Sequence, residues 1–164
     1  MFLKFADQIG PKLNLKTIIA PHNVDEASLR EVELSFHKTV IRWSDLSQQK
    51  KEDADILLID CVGILTKIYS YADIAYVGGG MGTKGLHNTL EPAVFGIPIL
   101  IGKNYTRYQE TSDLVALGGI VSVDSSVLFE NEFLKIVADK NLQKEMGLTN
   151  LNYNKKQAGK SDVS

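Results

Sequence analysis

Residues 76–102 read YVGGGMGTKGLHNTLEPAVFGIPILIG. Gly80, Gly82 and Gly85 stand in G-x-G-x-x-G spacing after an apolar run. Glycines let a backbone approach an anion closely. A helix after such a turn adds unpaired N–H groups and the positive end of its dipole. The turn is therefore a candidate anion site, with Lys84 able to add charge. The alternative is a glycine turn that only packs a sheet edge. The dinucleotide fingerprint is half met, because the next strand, IPILIG, runs into Lys103 rather than an acid for a ribose hydroxyl. A P-loop is excluded, since GMGTKG has no Gly-Lys-Ser/Thr at the required spacing.

His87, Asn88 and Glu91 follow. On a helix, spacings of three and four place them on one face. Pro92 sets the helix start close to Glu91, because proline is best tolerated in a first turn. Asn88 and Glu91 could form a capping box. That register puts Pro92 at the fourth helical position, where its missing N–H costs a bond. The expectation is therefore Glu91 at the helix mouth with a free carboxylate, suited to accept two hydrogen bonds from a vicinal diol such as a ribose.

These residues need a scaffold, and the chain alternates short apolar runs with helical patterns. A helix is expected over 1–9, stopped by Gly10-Pro11. Strands are expected at 17–22, 39–44, 55–60, 74–80, 97–101 and 120–123. Helices are expected at 24–38, 63–72, 89–95, 108–117 and 126–138, then a helical tail from 139 that frays into KKQAGKSDVS. The stretch 46–53 reads as a solvated connection. Alternation of this kind predicts an α/β fold, a Rossmann-like parallel sheet with helices on both faces. Ligands of such sheets bind beyond the carboxyl ends of the strands. Pro21-His22, residues 60–63, the glycine turn and residues 102–104 all fall at that edge.

Bulk properties limit the choices. The 164 residues suit one compact domain, and 44% hydrophobic content can fill a core. Eighteen basic against twenty acidic residues leave no electrostatic footprint for nucleic acid. One cysteine, Cys61, excludes an intramolecular disulfide and a cysteine-based zinc site; it reads as a small core thiol. No apolar run approaches the roughly 20 residues of a membrane span, and the first 15 residues do not read as a signal peptide. Trp43 is expected at a sheet edge and His37 at the surface.

The segment ADIAYVGGG…GLHNTLEPAVFGIPILIGKNYTRYQE resembles the C-terminal half of bacterial 3-deoxy-D-manno-octulosonic acid (Kdo) transferases. Upstream, IIAPHNVDE, VIRWSD and IDCVGILTKIYSYADIAYVGG fall in the family's block order, so the similarity spans roughly residues 15 to 123. The resemblance implies a GT-B glycosyltransferase, two Rossmann-like domains with the active site between them. It implies transfer of Kdo from a CMP-Kdo donor to a lipid A precursor acceptor, with inversion, no cofactor and no obligatory metal. In that family the setting is lipopolysaccharide synthesis at the cytoplasmic face of the inner membrane.

By the same resemblance, donor contacts fall on Pro21 and His22, on the Val62-Gly63 backbone, on the Gly79-Gly80 turn, and on Asn88 and Glu91. Glu91 would meet the ribose hydroxyls, and His87 would brace the loop. His22 stands where the family usually has arginine, so an always-charged group is replaced by one that titrates near neutrality. The family is much longer. The resemblance therefore implies a fragment, 1–164, lacking the N-terminal acceptor domain with its general base and the first Rossmann strand. No catalytic residue is then expected in this chain, and an exposed sheet edge could support a homodimer. Two other readings stay open from the residues alone. One is an NAD(P)-binding Rossmann domain of an oxidoreductase, with Lys103 and Arg107 near a 2′-phosphate. The other is a non-catalytic nucleotide-binding module.

Overall fold

Short, largely apolar runs, three or four residues long, make the described strands of this protein. The computed structural model describes residues 1–47, 54–82 and 85–161. Most of the connection expected at 46–53 lies outside the described residues, as does Lys84. The chain divides into two compact units, Met1–Leu65 and Thr66–Ser164.

The first unit carries β1 (Thr17–Ile19), β2 (Val40–Arg42) and β3 (Ile56–Leu58) as a parallel sheet in the order β1-β3-β2. Thr17 pairs in register with Ile56, and Val40 with the same residue from the other side. Two helices, α1 (Phe2–Gln8) and α2 (Glu26–Leu34), bring Phe2, Leu3, Leu29 and Val32 to the cluster formed by Ile19, Ile56 and Leu58. Asp25 starts α2 by accepting from the Ser28 N–H at 3.0 Å, a side-chain cap for an otherwise orphaned donor. The helix stops at Leu34 rather than reaching 38. The His37 N–H is bonded instead to Asp7 Oδ1 at 2.7 Å, which takes the chain out of the helical path.

The second unit carries β4 (Ala75–Val77), β5 (Ile99–Gly102) and β6 (Ile120–Val123), again parallel, in the order β4-β5-β6. The division between the units falls at the start of α3 (Leu65–Tyr69). All four residues of the central β5 are buried, as expected for a parallel strand covered on both faces. Ala75, Val77, Ile99 and Ile101 meet Ala93 of α4 (Leu90–Ala93), Leu114 of α5 (Gln109–Ala116) and Tyr153 of α7 (Lys140–Ser161). Tyr76 meets Phe129 of α6 (Ser126–Ala138) edge-on, with ring centroids 5.3 Å apart. Helices on both faces of a parallel sheet are thus present in this unit.

The last helix does not fray where expected. Asp139 Oδ1 accepts from the N–H groups of Asn141 and Leu142 at 2.9 and 3.0 Å, and α7 runs through Ser161. Adding good helix formers such as lysine, glutamine and alanine to an established helix is easy once nucleation is done. Two close contacts add to the Tyr153 contact in docking α7. Gly147 approaches Gly96 (φ 65°) so closely that a Cβ on Gly147 would collide with the Gly96 carbonyl oxygen. Asn150, fully buried, donates through Nδ2 to the carbonyls of Ile97 at 2.8 Å and Gly119 at 2.9 Å, tying the approaches to β5 and β6.

Candidate functional site

In each unit the sequence-predicted residues leave the carboxyl ends of parallel strands. In the first unit, Pro21 and His22 follow β1, while Val62 and Gly63 follow its neighbour β3. His22 is exposed, Val62 is 81% exposed, and Gly63 has a φ of 86°, a left-handed bend that favours glycine. This bend is anchored at its root. Asp60 accepts from the Ser44 N–H at 3.1 Å and from the Ser44 hydroxyl at 2.5 Å, joining the exits of β2 and β3. Cys61 is half-buried in the same bend rather than part of the core, because the strand has already ended at Leu58.

Beside this edge, Arg42 is fully engaged. Its guanidinium meets Glu26 through Nη1 at 2.7 Å and Glu33 through Nε at 2.6 Å. These hydrogen bonds, Glu26 first, push the guanidinium still higher and hold the Glu26 carboxyl below the usual carboxylate range. Trp43 lies 41% exposed in a short turn directly after the edge strand β2.

The second unit holds Gly79, Gly80, His87, Asn88 and Glu91. The glycine turn leaves β4 and sits on the end of β5. Gly79 has a φ of 92°, and a Cβ there would collide with the Gly85 carbonyl oxygen. A Cβ on Gly80 would lie 3.1 Å from the Gly102 Cα. The His87 N–H donates to the Gly78 carbonyl at 3.1 Å, closing the loop, and the His87 ring edge lies 3.8 Å from where a Gly78 Cβ would stand. Asn104 binds the turn from β5: its main-chain N–H donates to Gly80 O at 2.8 Å and its Nδ2 to Gly82 O at 3.0 Å.

His87 and Asn88 precede α4, so they do not share its helical face with Glu91. Thr89 takes the cap position, which makes Pro92 the third helical residue, where the missing N–H has no intrahelical partner to lose. Asn88 Oδ1 accepts from the Leu90 N–H at 3.0 Å, and Asn88 Nδ2 donates to Glu91 Oε1 at 3.2 Å. The Glu91 carboxylate is at the helix mouth, as expected, but one oxygen is already bonded to Asn88. The expected capping box is thus not formed: Asn88 serves the Leu90 N–H from one position before the cap, and the Glu91 side chain is bonded to Asn88 Nδ2.

Burial raises the Tyr69 hydroxyl above its ordinary value, and the Glu91 charge adds to this. A depression of about 320 Å³ opens at the 86–90 segment and is shared with Tyr108, Glu110 and Thr111. It lies at the lower end of the roughly 300–1,000 Å³ of small-molecule sites. Thr89 and Thr111, both buried, are joined through their hydroxyls at 2.8 Å. Asn104, Tyr108 and the Thr89–Thr111 pair belong to no ligand-binding motif. Their signal in sequence is only that Asn104 and Tyr108 follow a strand end. Among the described residues no cluster of three His, Cys, Asp or Glu side chains could hold a metal ion.

In class, this is a parallel α/β protein whose candidate ligand groups stand beyond its strand ends, where such sheets take up ligands. Its fold matches the C-terminal CMP-Kdo binding domain of WaaA from Acinetobacter baumannii. The TM-score is 0.77 over 88% of this chain and 78% of that one, at 21% identity. By sequence the chain is related to the 3-deoxy-D-manno-octulosonic acid transferases. It is 37% identical over 125 residues to the one from Chlamydia muridarum, covering 73% of this chain and 28% of the relative. A bifunctional glycosyltransferase/methyltransferase from Fusobacterium nucleatum is 34% identical over 96 residues, 57% of this chain and 15% of the relative. The chain thus spans less than a third of the length of these curated relatives. No family model matches it.

Proposed function

We propose that this chain is the donor-binding part of a glycosyltransferase that moves Kdo from CMP-Kdo to a lipid A precursor. The observation that carries the reading is the arrangement around β4, β5 and α4. A latched glycine turn and a carboxylate held by Asn88 sit within one compact unit, at the strand ends. The names of the relatives supply the donor.

In this reading the acceptor hydroxyl attacks the anomeric carbon of Kdo. The bond from that carbon to the CMP phosphate oxygen breaks, and the electron pair leaves with CMP. The hydroxyl proton goes to a general base. Backbone donors of the glycine turn stabilise the charge that builds on the departing phosphate. Glu91 accepts from the ribose hydroxyls and orients the nucleoside. The whole enzyme would work at the cytoplasmic face of the inner membrane; no described helix is long and apolar enough to cross it.

Calorimetric titration of the chain with CMP, UMP, GDP and NADP tests the reading. CMP binding that weakens about tenfold or more in Glu91→Ala is expected, for a charged hydrogen-bond partner lost. NADP binding without CMP binding would overturn it in favour of an oxidoreductase domain.

A further inference from the structure

Asn104 is exposed and stands two residues beyond Gly102, the last residue of β5. Apart from the Asn-x-Thr sequon of residues 104–106, no motif in the sequence gives it a task. Yet both of its nitrogens donate to the glycine turn, the main-chain N–H to Gly80 O at 2.8 Å and Nδ2 to Gly82 O at 3.0 Å. The seat beneath is tight as well. A Cβ on Gly102 would come within 2.7 Å of the Met81 nitrogen.

Glycine-rich turns carry a specific hazard for an anion site. In a trans peptide the carbonyl oxygen and the following N–H point in opposite directions. Glycine's freedom lets such a plane rotate at little cost. Half a rotation replaces a donor by an acceptor and turns attraction for an anion into repulsion. Hydrogen bonds to the carbonyls of Gly80 and Gly82 hold those two oxygens toward Asn104. His87 closes the other end of the turn on Gly78.

We propose that Asn104 is a positioning residue that presets the glycine turn for the phosphate of a nucleotide. This rests on the nucleotide-binding reading above and adds to it the device that keeps the turn in its anion-accepting form. The side-chain bond is exposed, so its loss costs the fold little while costing phosphate affinity more.

The test is titration of the full chain, wild type and Asn104→Ala, with CMP and with cytidine, alongside thermal unfolding. The variant is expected to bind CMP about threefold to tenfold more weakly, the worth of one side-chain hydrogen bond. Cytidine affinity and the unfolding temperature should stay unchanged, which a merely structural role would not produce. Equal CMP affinity in both proteins overturns the latch, as does an equal loss for CMP and cytidine. A wild-type chain that binds neither ligand overturns the nucleotide reading itself, and that failure is visible before any substitution is made.

Discussion

Asn88 donates to Glu91 Oε1 at 3.2 Å while its own Oδ1 accepts from the Leu90 N–H at 3.0 Å. One amide therefore both satisfies the first N–H of α4, as a cap would, and orients the carboxylate. The two roles separate on substitution. Asn88→Ala removes cap and clamp together and should cost about 1 kcal/mol of stability, with weaker CMP binding. Glu91→Gln leaves the cap in place, so stability should hold while CMP binding falls. Denaturation midpoints and titrations on the two variants check this. Equal stability loss in both would show that the cap contributes nothing of its own.

Helix propensity alone makes Gly147 a target for stabilisation, since alanine in a helix interior is favoured over glycine by about 1 kcal/mol. The structure reverses that expectation. Gly147 is buried where α7 crosses the Gly96 turn, and the added methyl would collide with a backbone carbonyl oxygen, which cannot swing aside as a side chain can. Gly147→Ala should therefore destabilise by about 1–3 kcal/mol, the usual cost of overpacking. Urea denaturation reads the sign directly. A stabilised variant would mean that helix and turn are farther apart.

Local signals made most of the framework legible, and partners distant in sequence account for the rest. β6 and α6 fall at their expected residues, the latter because Ser125 accepts from the Leu128 N–H at 3.2 Å, a cap written within four residues. β5 could be placed from its unbroken apolar run. The early stop of α2 could not, because the group that draws off the His37 N–H is Asp7, thirty residues away. At the candidate site, glycine spacing and Asn88-x-x-Glu91 marked the segments that leave β4 and enter α4. The Asn104 bonds to Gly80 and Gly82 cross 24 and 22 positions in sequence, and no spacing rule reaches that far.

Asn150 joins α7 to the sheet by two bonds from one nitrogen, to Ile97 O and Gly119 O, at a fully buried position. Asn150→Leu would leave both carbonyls without that donor inside the core. Each buried unmet group costs about 1–3 kcal/mol, so a loss of about 2–4 kcal/mol is expected. The Asn150 Oδ1 atom is itself buried without a partner, so its removal lightens the penalty and keeps the loss below the sum. Chemical denaturation measures it. A neutral outcome would show that α7 is held by its apolar contacts alone.

Asp7 makes part of the acid stability depend on its carboxylate. It is 6% exposed, accepts the His37 N–H at 2.7 Å, and lies 2.8 Å from His37 Nδ1. The hydrogen bond from the His37 side chain holds its carboxyl below the ordinary range, more than burial raises it. A carboxyl with a lowered native value binds its proton less readily folded than unfolded. Its stabilisation is thus fully present above the unfolded value of about 3.9 and is lost as pH falls through the lowered native value. Asp7→Asn should be less stable than wild type by a constant margin at pH 5 to 6. The margin should shrink as the pH is taken below about 4, because the wild-type carboxyl then takes up its proton. Urea midpoints of the two proteins between pH 6 and pH 3 give the margin at each pH. A margin that stays flat across the range would mean that the Asp7 charge adds nothing to the contact and that its hydrogen-bonding shape alone holds His37.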